Sequence, residues 1–174
     1  MERELSGALR SPSLITIWLG ANDAALPDGH AAGQHVPLAT YKENLVKIIQ
    51  FFQTRAPKAC ILLITPPHVD DAVRMARSPS GCAERTNAVT GLYAQACVDV
   101  ARELNVHVLD MYTFFHTMPD RDRAQCLDDG LHFTAEGNRL VEQQLQAKIV
   151  HAFPSLVKQL EAWQLPDFRI LMEM

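Results

Sequence analysis

Two short polar stretches hold the residues with the clearest chemical potential. Gly20-Ala21-Asn22-Asp23 interrupts an apolar run, and Asp129-Gly130-Leu131-His132 precedes a long helical pattern. An Asp three residues before a His on a tight turn can accept a hydrogen bond from one ring nitrogen. That fixes the tautomer and leaves the other nitrogen as a base, the orienting half of a hydrolytic triad. The carboxamide of Asn22 is a neutral donor suited to an oxyanion. Singly, each motif has an ordinary reading. An Asn-Asp pair after a strand is more often only a turn, because both residues tolerate the backbone angles a turn needs. A lone D-x-x-H is more often incidental than catalytic. Their order, and their placement after parallel strands, give the combination its weight.

The elements that must position them follow from periodicity. Residues 13–19, "SLITIWL", form a short β-branched run that predicts a buried strand, and "ACILLIT" (59–65) and "VHVLD" (106–110) predict two more. Between the first two, Thr40 and Glu43 have capping-box spacing, and Leu45, Ile48, Ile49 and Phe52 recur at helical spacing, which predicts a helix over 41–54. The stretch 68–81 reads as a loop, with helical character near 72–76. A helix over about 83–104 places Val89, Leu92, Tyr93, Ala96 and Val100 on one face. An irregular segment leads to "CLDDGLHFT". A helix over about 135–152 buries Leu140, Val141, Leu145 and Ile149, and a last one, near 155–163, uses Leu156, Leu160 and Trp163. Alternating strand and helix is the signature of a parallel sheet with helices on both faces. Ligands of such sheets bind at the carboxyl ends of the strands. Gly20–Asp23 lies there, and the loop holding His132 lies beyond the third strand, so both can line one crevice.

Composition narrows the function classes. The 174 residues suit one domain, with 48% hydrophobic and 21% charged residues, as in soluble globular proteins. A net charge of −4 supplies no basic footprint for nucleic acid or an anionic membrane. No apolar run reaches bilayer-spanning length, and "MERELSGALRSPS" has no signal-peptide h-region. Cys60, Cys82, Cys97 and Cys126 are widely spaced with no C-x-x-C pair, which points to reduced thiols and a cytoplasmic location. No Gly-rich phosphate loop follows a strand, which disfavours a nucleotide binder.

On these residues the sequence resembles the SGNH (GDSL-type) hydrolases. Gly20-Ala21-Asn22-Asp23 is similar to that family's G-x-N-D block and Asp129-x-x-His132 to its D-x-x-H block. "LGANDAALPDGHAAGQHVPLATYKENL" and "DGLHFTAEGNRLV" resemble segments of its isoamyl acetate-hydrolysing esterase branch, over residues 13–152. The resemblance implies a flavodoxin-like three-layer α/β/α fold and a carboxylic ester hydrolase acting on small acyl esters such as short-chain acetates, with no cofactor or metal. It also implies roles: Asn22 donates to the oxyanion, His132 is the general base, Asp129 orients it, Gly20 allows the tight turn, and Asp23 supports the loop. On this reading residues 1–12 lie outside the fold, 13–165 form a partial hydrolase-like domain, and 166–174 form an apolar tail.

The family's earlier blocks, a Gly-Asp-Ser with the nucleophile and a Gly-bearing oxyanion block, have no counterpart here. Ser6 has no preceding Asp or strand. Ser11 and Ser13 precede the first strand, so a strand of about six residues at roughly 3.3 Å each separates them from the crevice. Ser78 and Ser80 lack a strand-to-helix turn, and Ser155 lies beyond the last motif. The expectation is a chain with base, orienter and oxyanion donor but no nucleophile, inactive as it stands. The competing expectation is a non-catalytic interaction protein that keeps the crevice. With the fold's N-terminal strands missing, the first strand would expose an edge that favours self-association. Cys60 reads as a packed thiol, and Cys126 only weakly as a nucleophile. His30, His35 and His68 read as surface loop residues, His107 and His151 as strand and helix residues, and Trp18, Trp163 and Phe168 as packing groups.

Overall fold

A computed structural model describes residues 11–78 and 81–162. Three strands, β1 (Leu14–Trp18), β2 (Cys60–Ile64) and β3 (His107–Leu109), form a parallel sheet in the order β1-β2-β3. Leu14 pairs with Cys60 and Trp18 with Ile64, while Leu62 pairs with His107 and Ile64 with Leu109. The helices are α1 (Leu38–Arg55), α2 (Asp71–Arg77), α3 (Asn87–Glu103), α4 (Met111–His116), α5 (Asp120–Ala124), α6 (Ala135–Ala152) and α7 (Pro154–Ala162).

The two-residue alternation of β2 divides the core. Ile61 and Leu63 meet Tyr41, Leu45 and Ile49 of α1 and Tyr93, Cys97 and Val100 of α3. Leu62 and Ile64 face the other way, onto Met111, Phe115, Val141, Phe153 and Leu156. A strand buried on both faces reads as a continuous apolar run, which is why "CILLI" shows no alternation in the sequence. The result is the expected three-layer α/β/α arrangement around a parallel sheet.

The differences from the sequence reading are local. The Thr40–Glu43 capping box does not form: α1 starts at Leu38, with Pro37 as its N-cap and no side-chain cap, so Thr40 already lies inside the first turn. Proline's fixed φ presets the helix start upstream of the threonine. The 68–81 loop contains α2, capped by Asp70, whose carboxylate accepts from the Val73 N–H at 3.0 Å. The segment after β3 contains α4 and α5. Helix α3 begins only at Asn87, with Thr86 as its cap, and its Leu92 is exposed, as is Leu160 on α7. In α6 only Gly137 and Val141 are fully buried, and Leu140, Leu145 and Ile149 pack half-buried against the same cluster. Trp163, Phe168 and the tail lie outside the described residues.

Candidate active site

Strand β1 ends at Trp18, and the chain turns at Gly20, whose φ of +114° lies where side chains are disfavoured. A Cβ there would sit 2.9 Å from the Tyr41 hydroxyl and 3.2 Å from Pro66 Cγ, so the turn requires glycine on both counts. The Ala24 N–H closes the turn on the Gly20 carbonyl at 3.0 Å. Asn22 projects from it, exposed, into a cavity of about 330 Å³. Asp23 points elsewhere: its side chain lies with Tyr41 along a different cavity, and its carbonyl accepts from the Val36 N–H at 3.1 Å.

The second loop is built around one carboxylate. Asp129 Oδ1 accepts from the backbone N–H groups of Leu131 at 3.0 Å and His132 at 2.8 Å. Oδ2 lies 2.9 Å from His132 Nδ1 and also accepts from Arg74 Nη1 at 2.9 Å. Burial pushes the Asp129 carboxyl up, but the hydrogen bonds from the His132 backbone, the His132 ring and Leu131 outweigh it and hold the group well below the usual carboxylate range. The carboxylate therefore stays ionised and is an acceptor only, which puts the ring proton on His132 Nδ1 and leaves Nε2 as the basic nitrogen. The His132 side chain is 76% exposed, against 19% for Asp129, so the carboxylate is sheltered and the ring is presented to solvent. Gly130, at φ +82°, lets the loop press on α2. A Cβ would meet the Asp70 carbonyl at 2.8 Å, and the Asp70 N–H bonds the Gly130 carbonyl at 2.9 Å.

Both loops meet at one cavity. Asn22 and His132 line it, with Ala21 and an apolar wall of Trp18, Leu19, Pro67, Leu131 and Phe133. Trp18, read from sequence as a packing group, thus also forms part of the cavity wall. Its indole N–H donates to the Thr65 carbonyl at 3.0 Å, and its ring lies 6.0 Å from that of Phe133. No serine, threonine or cysteine is among the described residues lining this cavity. Ser11, Ser13 and Ser155 line a separate cavity with Lys58 and Cys60, at the amino ends of β1 and β2. Ser78 is the C-cap of α2, and Ser6 and Ser80 lie outside the described residues. Cys126 is buried, its thiol pushed up by burial and bonded to the Asp122 carbonyl at 3.4 Å, so it is no exposed nucleophile. Cys60 packs half-buried against the core. Among the described residues no group of three or more His, Cys, Asp or Glu is placed to hold a metal ion, and no helix is long and apolar enough to cross a membrane.

The remaining histidines divide. His30 Nε2 lies 2.5 Å from Glu84 Oε2, and His35 Nδ1 lies 2.6 Å from the Ala25 carbonyl. His68, expected at the surface, is buried at 8% exposure, because the turn after Pro66-Pro67 folds it in near His116. His107 packs edge-on against Phe153 on β3, and His151 is exposed on α6.

Arg74, Glu84 and Arg85 were not anticipated. Arg85 donates to the Ala21 carbonyl at 3.1 Å and to Asn22 Oδ1 at 3.2 Å, Glu84 pairs with both arginines, and Arg74 reaches Asp129. Nothing in the local spacing flags them, since their partners on Asn22 and Asp129 are far along the chain.

Comparison with known proteins points to one family. Residues 2–140 match the GDSL-like Lipase/Acylhydrolase family. A GDSL esterase/lipase of Arabidopsis thaliana is 41% identical over 143 residues, 80% of this chain and 59% of the relative. The Isoamyl acetate-hydrolyzing esterase 1 homolog of Homo sapiens is 35% identical over 160 residues, 90% of this chain and 63% of the relative. The crystal structure of a lipase/acylhydrolase from Enterococcus faecalis superposes with a TM-score of 0.63 at 28% identity, over 79% of this chain and 61% of that one. The chain thus spans about 60% of the length of the curated relatives it matches. With a family match over most of its length, a parallel α/β/α sheet, and both sequence blocks meeting at one cavity, the chain belongs to the GDSL-like lipase/acylhydrolase family.

Proposed function

We propose that this chain carries the acid–base and oxyanion half of a carboxylic ester hydrolase that acts through a Ser-His-Asp triad. The observation behind this reading is the Asp129 Oδ2–His132 Nδ1 contact of 2.9 Å beside a cavity that His132 shares with Asn22. In the complete reaction, His132 Nε2 takes the proton of a serine hydroxyl as it attacks the ester carbonyl. The Asn22 amide donates to the oxyanion, and His132 returns the proton to the leaving alcohol. Water then attacks the acyl-enzyme by the same route. Asp129 keeps the ring in the working tautomer, and the Gly20 turn holds Asn22 at the rim. The wall of Trp18, Leu19, Pro67, Leu131 and Phe133 suits an apolar acyl or alcohol group, in keeping with small esters such as short-chain acetates. The reading includes a cytoplasmic location and a single domain over 13–165.

The same reading holds this chain inactive by itself, because no described residue lining the cavity is a nucleophile. Incubation with a serine-directed fluorophosphonate, followed by mass spectrometry, is expected to leave the chain unlabelled and hydrolysis of p-nitrophenyl acetate at the buffer rate. Stoichiometric labelling of Ser78 or Ser80 would overturn this. An in-frame strand ending in Gly-Asp-Ser in the transcript upstream of Met1 would supply the serine.

That cavity lining also favours a second reading, a non-catalytic protein that retains the crevice and self-associates through β1, which pairs only with β2 among the described residues. Light scattering tests it: a monodisperse monomer at high concentration counts against the second reading.

A further inference from the structure

An ion cluster of low exposure joins the two loops of the site. The side chain of Arg85 is 4% exposed and that of Glu84 5%. Arg85 donates Nε to the Ala21 carbonyl at 3.1 Å, Nη2 to Asn22 Oδ1 at 3.2 Å and to Gln34 Oε1, and Nη1 to Glu84 Oε1 at 2.9 Å. Glu84 also takes Arg74, and its second oxygen meets His30. Arg74 then reaches Asp129 Oδ2 at 2.9 Å. Removing such ions from water is costly, and apolar packing of the same volume is often as stable, so stability alone is a weak account of the cluster.

Geometry supplies a better one. A carboxamide presents an acceptor on one side and two donors on the other, nearly equal in shape, and its partners decide which side faces where. Arg85 can only donate, so it selects Oδ1 of Asn22 and leaves the Nδ2 hydrogens, which have no partner among the described residues, for the cavity that Asn22 lines. A guanidinium on Oδ1 also polarises the amide and strengthens its N–H groups as donors. The Nε bond to Ala21 fixes the backbone beneath the same side chain.

We propose that Arg85 is a positioning residue that turns the Asn22 amide hydrogens toward the cavity, with Glu84 and Arg74 tying that loop to Asp129. This rests on the reading of Asn22 as the oxyanion donor, and it adds the group that makes the side chain a donor in that direction. The test is NMR on the isotopically labelled chain, through nuclear Overhauser contacts from the Asn22 Nδ2 hydrogens to ring hydrogens of Trp18, His132 and Phe133. These are expected in the parent chain, lost in Arg85→Met, whose side chain has no hydrogen to donate, and partly retained in Arg85→Lys, whose ammonium can still donate to Oδ1 but cannot hold Ala21 at the same time. Unchanged contacts in a folded Arg85→Met chain overturn the proposal. Should that variant not fold, Arg85→Lys decides: weakened contacts support the proposal and undiminished ones overturn it. The readout is the direction of an amide and not turnover, so its failure stands apart from failure of the hydrolase reading, which labelling and ester hydrolysis measure.

Discussion

At the scale of the residue, the site depends on two glycines whose backbones no other residue adopts comfortably. Gly20 combines a φ of +114° with two close neighbours, and Gly130 a φ of +82° with the Asp70 carbonyl 2.8 Å from where a Cβ would stand. Gly33 has a negative-side conformation and nothing within 4 Å. Gly20→Ala and Gly130→Ala are therefore each expected to destabilise the fold by roughly 1–3 kcal/mol, while Gly33→Ala changes it by less than about 1 kcal/mol. Urea unfolding of the three variants checks the contrast. Asp129 adds an acid limit. Its native carboxyl is held below the unfolded value, so its contribution to stability is present above the ordinary carboxylate range and is lost as pH falls below it.

At the scale of the element, helix starts carry the difference between pattern and structure. Asp70, Thr86 and Thr134 cap α2, α3 and α6 through side-chain oxygens. Thr40, which has the sequence signature of a cap, makes no such bond because Pro37 starts the helix first. Thr86→Ala and Thr134→Ala are each expected to cost about 1 kcal/mol by chemical denaturation, whereas exposed Thr40→Ala is neutral or slightly stabilising, because alanine is the better helix former. Asp70→Ala should reach further, since α2 carries Arg74 and the Asp70 backbone holds Gly130. Besides a similar stability loss of about 1 kcal/mol, it is expected to perturb the NMR signals of His132.

At the scale of the whole molecule, folding buries His68 far from its position in any local pattern. Burial, with Arg123 and His116 nearby, pushes its ring down to about 4, while Asp70 and Asp71 act weakly the other way. The unfolded chain takes up a proton below about 6.5 and the native chain only near 4, so stability is complete above that higher value and declines as pH falls through the window. Urea unfolding is expected to show a loss of about 2 kcal/mol between pH 7 and pH 5 from this group. His68→Phe should remove it. A loss of the same size in that variant would assign the acid sensitivity elsewhere.

The sequence by itself determined the three strands, the long helices and the Asp129–His132 pair. Strands and helices impose periods of two and 3.6 on their apolar residues, and an i to i+3 hydrogen bond needs only a tight local turn. It also determined that Gly20–Asp23 follows a strand, although not that Asp23 turns away from the cavity. Only the tertiary structure decided that Asn22 and His132 face one cavity, that Trp18 walls it, that Cys126 and His68 are buried, and that Arg85 grips Asn22 while Arg74 grips Asp129. Those contacts join residues from separate stretches of the chain. Ion pairs and hydrogen bonds across such distances leave no period in the sequence, and arise only when the sheet and its crossovers have brought the loops together.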